Sequence, residues 1–146
     1  MKKLTRAQRK RKRLRELDGA FSGIIGAELV SNGDFATDPA VEWTLGNGWT
    51  WDSLKELMES DGADTNLTQT LAISDTKSYL LEFDVVGTFE TKGLKITFGG
   101  RDYDTNKTGR FSSLVKANGG VDIAFSPQLE GYFVGDIDNV SVREII

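Results

Sequence analysis

Cysteine and histidine are absent from this chain of 146 residues, and proline occurs only twice. The absence of cysteine excludes disulfides, thiolate nucleophiles and cysteine-based zinc sites. The absence of histidine removes the commonest general base and transition-metal ligand. The chain also lacks a run of about 18 apolar residues, the length that a helix needs to cross a bilayer. These absences exclude much of nucleophile and metal chemistry, and we expect no membrane partner.

Acid–base catalysis would therefore depend on carboxylates, of which the chain has 22. A catalytic pair of carboxylates must lie several ångströms apart in a cleft, with the pKa of one of them raised. No motif in the sequence marks such a pair, and so many acids produce pairs by chance. The sequence therefore predicts a protein that is not an enzyme and has no catalytic residues.

The charges are divided unequally between two parts of the chain. Residues 1 to 16 hold nine lysines and arginines and one acid, a net charge of +8, whereas the other 130 residues hold nine bases and 21 acids, a net charge of −12. The basic residues of the first part, which we expect to anchor the chain to a partner, are Lys2, Lys3, Arg6, Arg9, Lys10, Arg11, Lys12, Arg13 and Arg15. A block of like charge is typical of an interaction tail. Its partner must be anionic: an acidic protein surface, nucleic acid or a lipid headgroup layer.

Residues 1 to 17 are predicted to form a basic arm that contains a short helix. Thr5 can cap the helix, and the residues from Arg6 to Leu17 are mostly good helix formers. Like charges at i, i+4 spacing repel and the segment is short, so we expect the helix to become ordered on a partner. Residues 18 to 27 contain three glycines and are predicted to be a linker.

From residue 28 to residue 146 the pattern changes to short alternating runs separated by Gly, Asn and Asp. Strong strand candidates are "SYLLEFDVVG", "GLKITFGG", "VDIAFS" and "IDNVSVREI", in which apolar residues recur at every second position. Weaker candidates are "AELVS", "GWTWD", "NLTQTLAI" and "GRFSSLVK". The segment "ELMES" fits a helical turn or a strand, and we predict a strand. Short strands at regular spacing predict an all-β fold, a β-sandwich of two packed antiparallel sheets, preceded by the basic helical arm.

Three motifs of this domain occur in a familiar order: "NGDF" near its start, "GNGW" after the first tryptophan, and "IDNVSV" near its end. In this order they resemble the carbohydrate-binding-module-like, galactose-binding-like β-sandwich domains of bacteriophage structural proteins and modular glycosidases. The resemblance covers residues 28 to 145. It implies a jelly roll over residues 28–146, in which the first and last strands are adjacent. The basic arm is not part of the family pattern.

A domain of this kind behind a cationic segment resembles a virion component. The resemblance implies a bacteriophage structural protein that the arm holds on the virion. This protein would be a capsid decoration or head-fibre-like protein, or it would be attached to the tail. We expect its synthesis in the host cytoplasm. Its expected partners are other virion proteins of the capsid, portal or tail, and further copies of the same chain in a homo-oligomer. Two alternatives stay open: an adhesion module that binds surface glycans, and an internal protein that contacts packaged DNA through the arm. Residues 1 to 20 contain no aromatic side chain, which disfavours binding of single strands by base stacking.

Exposed aromatic rings stack on sugars, so the aromatic residues are the candidates for glycan binding. We predict that Trp43 and Trp49 belong to the core, because large aromatic side chains dominate burial energetics. The candidate glycan-binding residues are Trp51, Tyr103 and Tyr132, of which Trp51 could equally belong to the core.

A structural calcium ion is the one cofactor that the sequence suggests. The segment "DYDTNK" imitates the start of an EF-hand loop, but Lys107 and Ser113 occupy the positions that require Gly and Glu. The resemblance instead implies a calcium site near the first and last strands, with Asp34, Asp136 and Asp138 as ligands. The alternative is that these aspartates cap turns by accepting hydrogen bonds from backbone amides.

Overall fold

A computed structural model of the chain describes residues 25–89, 93–128 and 133–146. The basic arm and residues 18–24 of the predicted linker lie outside the described residues, so the helix of the arm stays a prediction. The described residues form an all-β structure of two antiparallel sheets, which confirms the predicted β-sandwich.

Within the described ranges, eleven strands make up the two sheets. Sheet A contains β1 (Ile25–Glu28), β3 (Trp49–Asp52), β4 (Leu57–Asp61), β6 (Ser78–Phe89), β9 (Gly109–Lys116) and β11 (Phe133–Ile145). Sheet B contains β2 (Thr44–Leu45), β5 (Leu67–Thr70), β7 (Leu94–Phe98), β8 (Arg101–Thr105) and β10 (Asp122–Pro127). A short 3₁₀ helix spans Pro39–Val41.

Sheet A has the strand order β3-β4-β11-β6-β9, and sheet B has the order β2-β5-β10-β7-β8. The 13-residue strand β11 is the centre of sheet A. It pairs with β6 along one side, while β4 and β1 share its other side. The first described strand therefore lies beside the last one, as the resemblance implied.

The sandwich begins earlier than the sequence predicted. Residues 25–27, which the prediction assigned to the linker, belong to β1, and Ile25 pairs with Ile145. The pairing satisfies backbone groups that a flexible linker would leave to water.

Most strand predictions are confirmed, including the ambiguous segment "ELMES", which forms β4. The prediction missed β2 and β8. The five residues of β8 contain one apolar side chain, Tyr103, and the strand lies at the edge of sheet B, where apolar alternation is not required. β11 is also longer than predicted, because its first residues pair with β4 and β6.

The core lies between the sheets and consists of the inward side chains of alternate residues. On β6 these are Tyr79, Leu81, Phe83 and Val85, each at most 2% exposed. The ring of Phe83 meets that of Phe125 on β10 edge-on, with centroids 5.0 Å apart, and so joins the two sheets. Trp43 and Trp49 are 2% and 5% exposed, and both belong to the core as predicted.

The "NGDF" turn packs directly against β11. Val140 donates its backbone N–H to the carbonyl oxygen of Gly33 over 2.8 Å. A Cβ atom at Gly33 would overlap the carbonyl oxygen of Val140, so this position requires glycine. Phe35, the last residue of the turn, is fully buried. Two motifs that are more than 100 residues apart in the sequence therefore meet as a single packing unit.

We predict that Gly33→Ala lowers the free energy of unfolding by about 3 kcal/mol, because the new methyl group must displace backbone rather than a flexible side chain. Gly26→Ala is the matched control, since its Cβ would lie at ordinary contact distances of 3.5 Å from Glu144. Urea unfolding followed by tryptophan fluorescence measures both variants. Equal stability of the two variants would contradict the packing described here.

Candidate interaction surface

The outer face of sheet A carries acidic side chains in the outward positions of its two central strands. On β6, Glu82 and Asp84 alternate with the core residues, and Asp84 lies opposite Asp138 on β11. Asp136 lies opposite the outward residue Val86. We call Glu82, Asp84, Asp136 and Asp138, together with the neighbouring Arg110, the acidic face.

Three of these carboxylates are buried even though they point away from the core. Glu82 is 6% exposed, Asp84 is 8% exposed and Asp138 is 3% exposed. A buried charge is costly unless hydrogen bonds and opposite charges compensate it. The acidic face therefore depends on its polar contacts.

Arg110 lies on the edge strand β9 and reaches over both acids of β6. Its Nη1 donates to Asp84 Oδ1 over 3.3 Å and to the carbonyl oxygen of Asn139 over 3.2 Å. Its Nε lies 3.8 Å from Glu82 Oε2. Only 17% of the Arg110 side chain is exposed, so these ion pairs are poorly screened by water.

Asn139 occupies a bulge in β11, where the register with β6 shifts between Asp138 and Ser141. Its φ of 51° lies in the left-handed region, which asparagine tolerates better than most residues. The bulge directs its side chain across the strands, and Nδ2 donates to Asp84 Oδ2 over 2.7 Å. Its backbone N–H donates to Asp138 Oδ1 over 2.8 Å. Asn139 thus links the acids of β6 and β11.

Three buried polar atoms of this surface have no hydrogen-bond partner within the described ranges. They are Asn139 Oδ1 and the Nε and Nη2 atoms of Arg110. Native proteins satisfy nearly all buried polar atoms, so each exception calls for an explanation.

Glu28 ties β1 to β11 at the other end of the same sheet. Its Oε1 accepts hydrogen bonds from the backbone N–H groups of Val30 and Val142, over 3.1 and 2.8 Å. Its Oε2 accepts from Ser141 Oγ over 2.6 Å and from Arg143 Nε over 3.4 Å. Burial raises the pKa of Glu28, and these hydrogen bonds oppose that rise only in part.

The three predicted calcium ligands occupy two places. Asp34 lies in the "NGDF" turn, where its Oδ1 accepts from the backbone N–H of Ala36 over 3.3 Å. Asp136 and Asp138 share the outward side of β11, and Asp138 also accepts from a backbone amide. Within the part of the chain that the structure describes, no cluster of three or more acids is arranged to hold a metal ion. Calcium binding stays a prediction.

Two of the candidate glycan-binding residues, Trp51 and Tyr103, are described by the structure and do not share one platform. Trp51 is half-buried on the edge strand β3, where its Nε1 donates to the carbonyl oxygen of Phe35 over 3.0 Å. Tyr103 is half-buried on β8, and its hydroxyl accepts from the backbone N–H of Lys116 on β9 over 3.3 Å. Because β3 and β9 are opposite edges of sheet A, the two rings lie on opposite sides of the sandwich. Tyr132 and the basic residues of the arm lie outside the described residues.

The sequence analysis did not identify Glu82, Asp84, Arg110 or Asn139. A signal for the acids was present, since "LEFDVV" and "GDIDNV" both place acids at every second position. The contact of Arg110 with both acids depends on the pairing of β6 with β9, which the sequence pattern does not specify.

Comparison of the chain with protein-family models and with curated proteins found no match. None of the described residues belongs to a helix with the length and hydropathy that a membrane crossing requires.

We predict that Arg110→Met lowers the free energy of unfolding by about 3 kcal/mol, because it leaves Glu82 and Asp84 buried without the guanidinium. Lys55→Met is the control: Lys55 also pairs with two acids, Asp52 and Glu59, but 61% of its side chain is exposed. Exposed pairs contribute little, so this control should change stability by less than about 1 kcal/mol. Urea unfolding at low salt gives both values, and a similar small effect for both variants would argue against a structural role for Arg110.

We predict that Glu28→Gln changes the pH dependence of stability. Folding raises the pKa of Glu28, so the protonated carboxyl group favours the folded state. This stabilisation is fully present below pH 4.5, the pKa in the unfolded chain, and is lost as the pH rises through the pKa in the folded chain. The glutamine variant lacks this titration. Its stability relative to the natural chain should therefore increase between about pH 4.5 and pH 7 in urea unfolding. A constant difference across this range would contradict the proposed shift.

Proposed function

We propose that the protein is a structural component of a bacteriophage virion, in which the basic arm anchors a displayed β-sandwich to the particle. The observation that carries this proposal is the division of charge: +8 in residues 1 to 16 and −12 in the rest of the chain. A cationic segment beside an independently stable acidic body suits attachment to a fixed anionic surface.

We infer further that the sandwich is a jelly roll. The central strands of sheet A follow the order β4-β11-β6-β9, and those of sheet B follow the order β5-β10-β7-β8. This arrangement of eight strands in two four-stranded sheets fits two interlocked Greek keys. It agrees with the domain type that the sequence motifs resemble. A closed body of this kind, with most large apolar side chains buried between the sheets, suits display on the outside of a particle.

The position of β1 supports an anchoring role for the arm. β1 begins at Ile25, beside Ile145 near the end of the chain, so the arm joins the sandwich at one end of sheet A. When the arm becomes ordered on an anionic partner, it gains charge-assisted contacts and loses conformational entropy. Because salt screens those contacts, anchoring should weaken as the salt concentration rises. Copies of the acidic body would repel one another and stay apart on the particle.

The other two functions receive less support from the described residues. Glycan binding through Trp51 and Tyr103 would use two half-buried rings on opposite sides of the sandwich. Contact with packaged DNA would depend on the arm alone, because the body is strongly acidic.

We predict that deletion of residues 1–17 removes the protein from purified particles, because the body alone carries no cationic anchor. The measurement is quantitative mass spectrometry of particles assembled with the full chain or with the deletion variant. A second variant keeps the length of the arm but replaces its nine basic residues with glutamine, which separates the role of charge from that of length. Circular dichroism of both purified variants checks that the sandwich has folded. Incorporation of either variant at the normal copy number would overturn the anchoring proposal.

A further inference from the structure

The dipeptide Asn-Gly occurs three times in the chain, at residues 32–33, 47–48 and 118–119. In this dipeptide the backbone nitrogen of glycine can attack the side-chain amide carbon of asparagine, because glycine has no side chain to hinder the approach. The attack closes a succinimide ring, and it requires the asparagine side chain and the following peptide to rotate against each other. A folded protein therefore protects such a pair wherever tertiary contacts hold both groups in place.

The first pair, Asn32-Gly33, is held through both of its residues. Asn32 Nδ2 donates to the carbonyl oxygen of Thr37 over 2.9 Å, and Asn32 Oδ1 accepts from the backbone N–H of Thr37 over 3.5 Å. Gly33 lies against the backbone of Val140, which donates a hydrogen bond to it. Neither the side-chain amide nor the peptide can rotate without the loss of these contacts.

The second pair, Asn47-Gly48, has an exposed asparagine but a fixed backbone. The carbonyl oxygen of Asn47 accepts a hydrogen bond from Thr65 Oγ1, and that of Gly48 accepts one from the backbone N–H of Asp61 over 3.0 Å. A Cβ atom at Gly48 would overlap the carboxylate of Asp61. The peptide that would have to rotate is therefore held on both of its sides.

The third pair, Asn118-Gly119, lies in the loop between β9 and β10, and both of its residues are exposed. A Cβ atom built on Gly119 would meet nothing within 4 Å, so the space around the reacting nitrogen is open. Within the described ranges, neither the side-chain amide of Asn118 nor the backbone N–H of Gly119 forms a hydrogen bond. Both reacting groups of this pair are accessible and unrestrained.

The backbone on either side of this peptide joins the two sheets. The backbone N–H groups of Asn118 and Gly120 both donate to the carbonyl oxygen of Gly99, over 2.7 and 3.1 Å. Gly99 lies in the turn between β7 and β8 of sheet B, whereas the loop continues from β9 of sheet A. A Cβ atom at Gly120 would overlap the backbone of Gly99. This close contact leaves no room for an additional backbone atom in the loop.

We propose that Asn118 is a site of spontaneous deamidation in the folded protein, whereas Asn32 and Asn47 are protected by the fold. The nitrogen of Gly119 loses its proton to solvent and forms a bond to Cγ of Asn118. The bond between Cγ and Nδ2 breaks, and the amide nitrogen takes up a proton from water and leaves as ammonia. A water molecule then opens the succinimide ring at either of its two carbonyl carbons, which gives aspartate or isoaspartate at position 118.

The two products have different structural effects. Both add a negative charge, but only isoaspartate carries the main chain through its Cβ atom, so that the backbone becomes one atom longer. The extra atom lies between the two N–H groups that donate to Gly99, and both hydrogen bonds cannot keep their geometry. Isoaspartate at position 118 therefore loosens the contact between the loop and the β7–β8 turn as the protein ages.

Peptide mapping of the purified full chain tests the selectivity of the reaction. The protein is incubated at mildly alkaline pH and digested with trypsin, which places Asn118 in a different peptide from Asn32 and Asn47. Deamidation raises the mass of a peptide by about 1 Da, and synthetic standards distinguish isoaspartate from aspartate by chromatography. In the folded protein Asn118 should react at least about ten times faster than Asn32 or Asn47.

The same chain unfolded in urea is the control for the peptide mapping. There the three pairs should react at similar rates, because they share one dipeptide and have lost their tertiary contacts. Equal rates at the three sites of the folded protein would overturn the proposal. The same order of rates in the folded and unfolded chains would also overturn it, because the fold would then not determine the selectivity.

Two variants separate the effect of this modification from other changes during incubation. Asn118→Gln blocks the reaction, because glutamine would have to close a larger ring, and Asn47→Gln is the matched control. After incubation the urea midpoint of the natural chain and of Asn47→Gln should decrease, whereas that of Asn118→Gln should stay at its initial value. Circular dichroism of the fresh variants checks that both have folded.

Freshly purified Asn118→Asp distinguishes the added charge from the longer backbone. It carries the charge of the product without the extra atom, so its urea midpoint should equal that of the natural chain before incubation. An equal loss of stability in incubated Asn118→Gln, or the full loss in fresh Asn118→Asp, would overturn the role of isoaspartate at this contact.

Discussion

The long antiparallel pairing of β6 with β11 is the constraint on which the rest of the structure depends. The two strands pair from Phe133 opposite Phe89 to Glu144 opposite Tyr79. Every other strand of sheet A attaches to this pair, either directly or through β4. Because successive side chains of a strand point to opposite faces, the pair builds two surfaces at once. Its inward residues belong to the core, and its outward residues supply the four carboxylates of the acidic face.

The two surfaces have different energetics. The core is stabilised by apolar burial, and the aromatic contact between Phe83 and Phe125 joins the two sheets. The acidic face gains little from apolar burial and must offset the desolvation of its carboxylates through Arg110 and Asn139. The bulge at Asn139 serves both surfaces: it directs the amide towards Asp84, and it is followed by Val140, against which Gly33 packs.

Much of the fold could be predicted from the sequence, but the chemistry of the surface could not. The alternation in "SYLLEFDVVG" predicted β6 and its core residues, and the burial of Trp43 and Trp49 was also predicted correctly. Edge strands were harder to predict, since β8 has one apolar residue and gives almost no periodic signal. The candidate glycan-binding residues Trp51 and Tyr103 are both half-buried and form hydrogen bonds with backbone groups, and glycan binding stays a prediction. Aromatic residue type alone does not determine exposure.

The sequence by itself determined the all-β class, the inward side of each strong strand and the separation of positive from negative charge, because these depend on local periodicity and composition. Only the tertiary structure decided which outward residues share a surface. Glu82 and Asp138 lie 56 positions apart in the chain and share a face because β6 pairs with β11. Arg110 lies beside Glu82 and Asp84 only because β9 pairs with β6. Strand order follows from the packing of the whole sandwich, so the acidic face that it creates is a property of the fold and of no single segment.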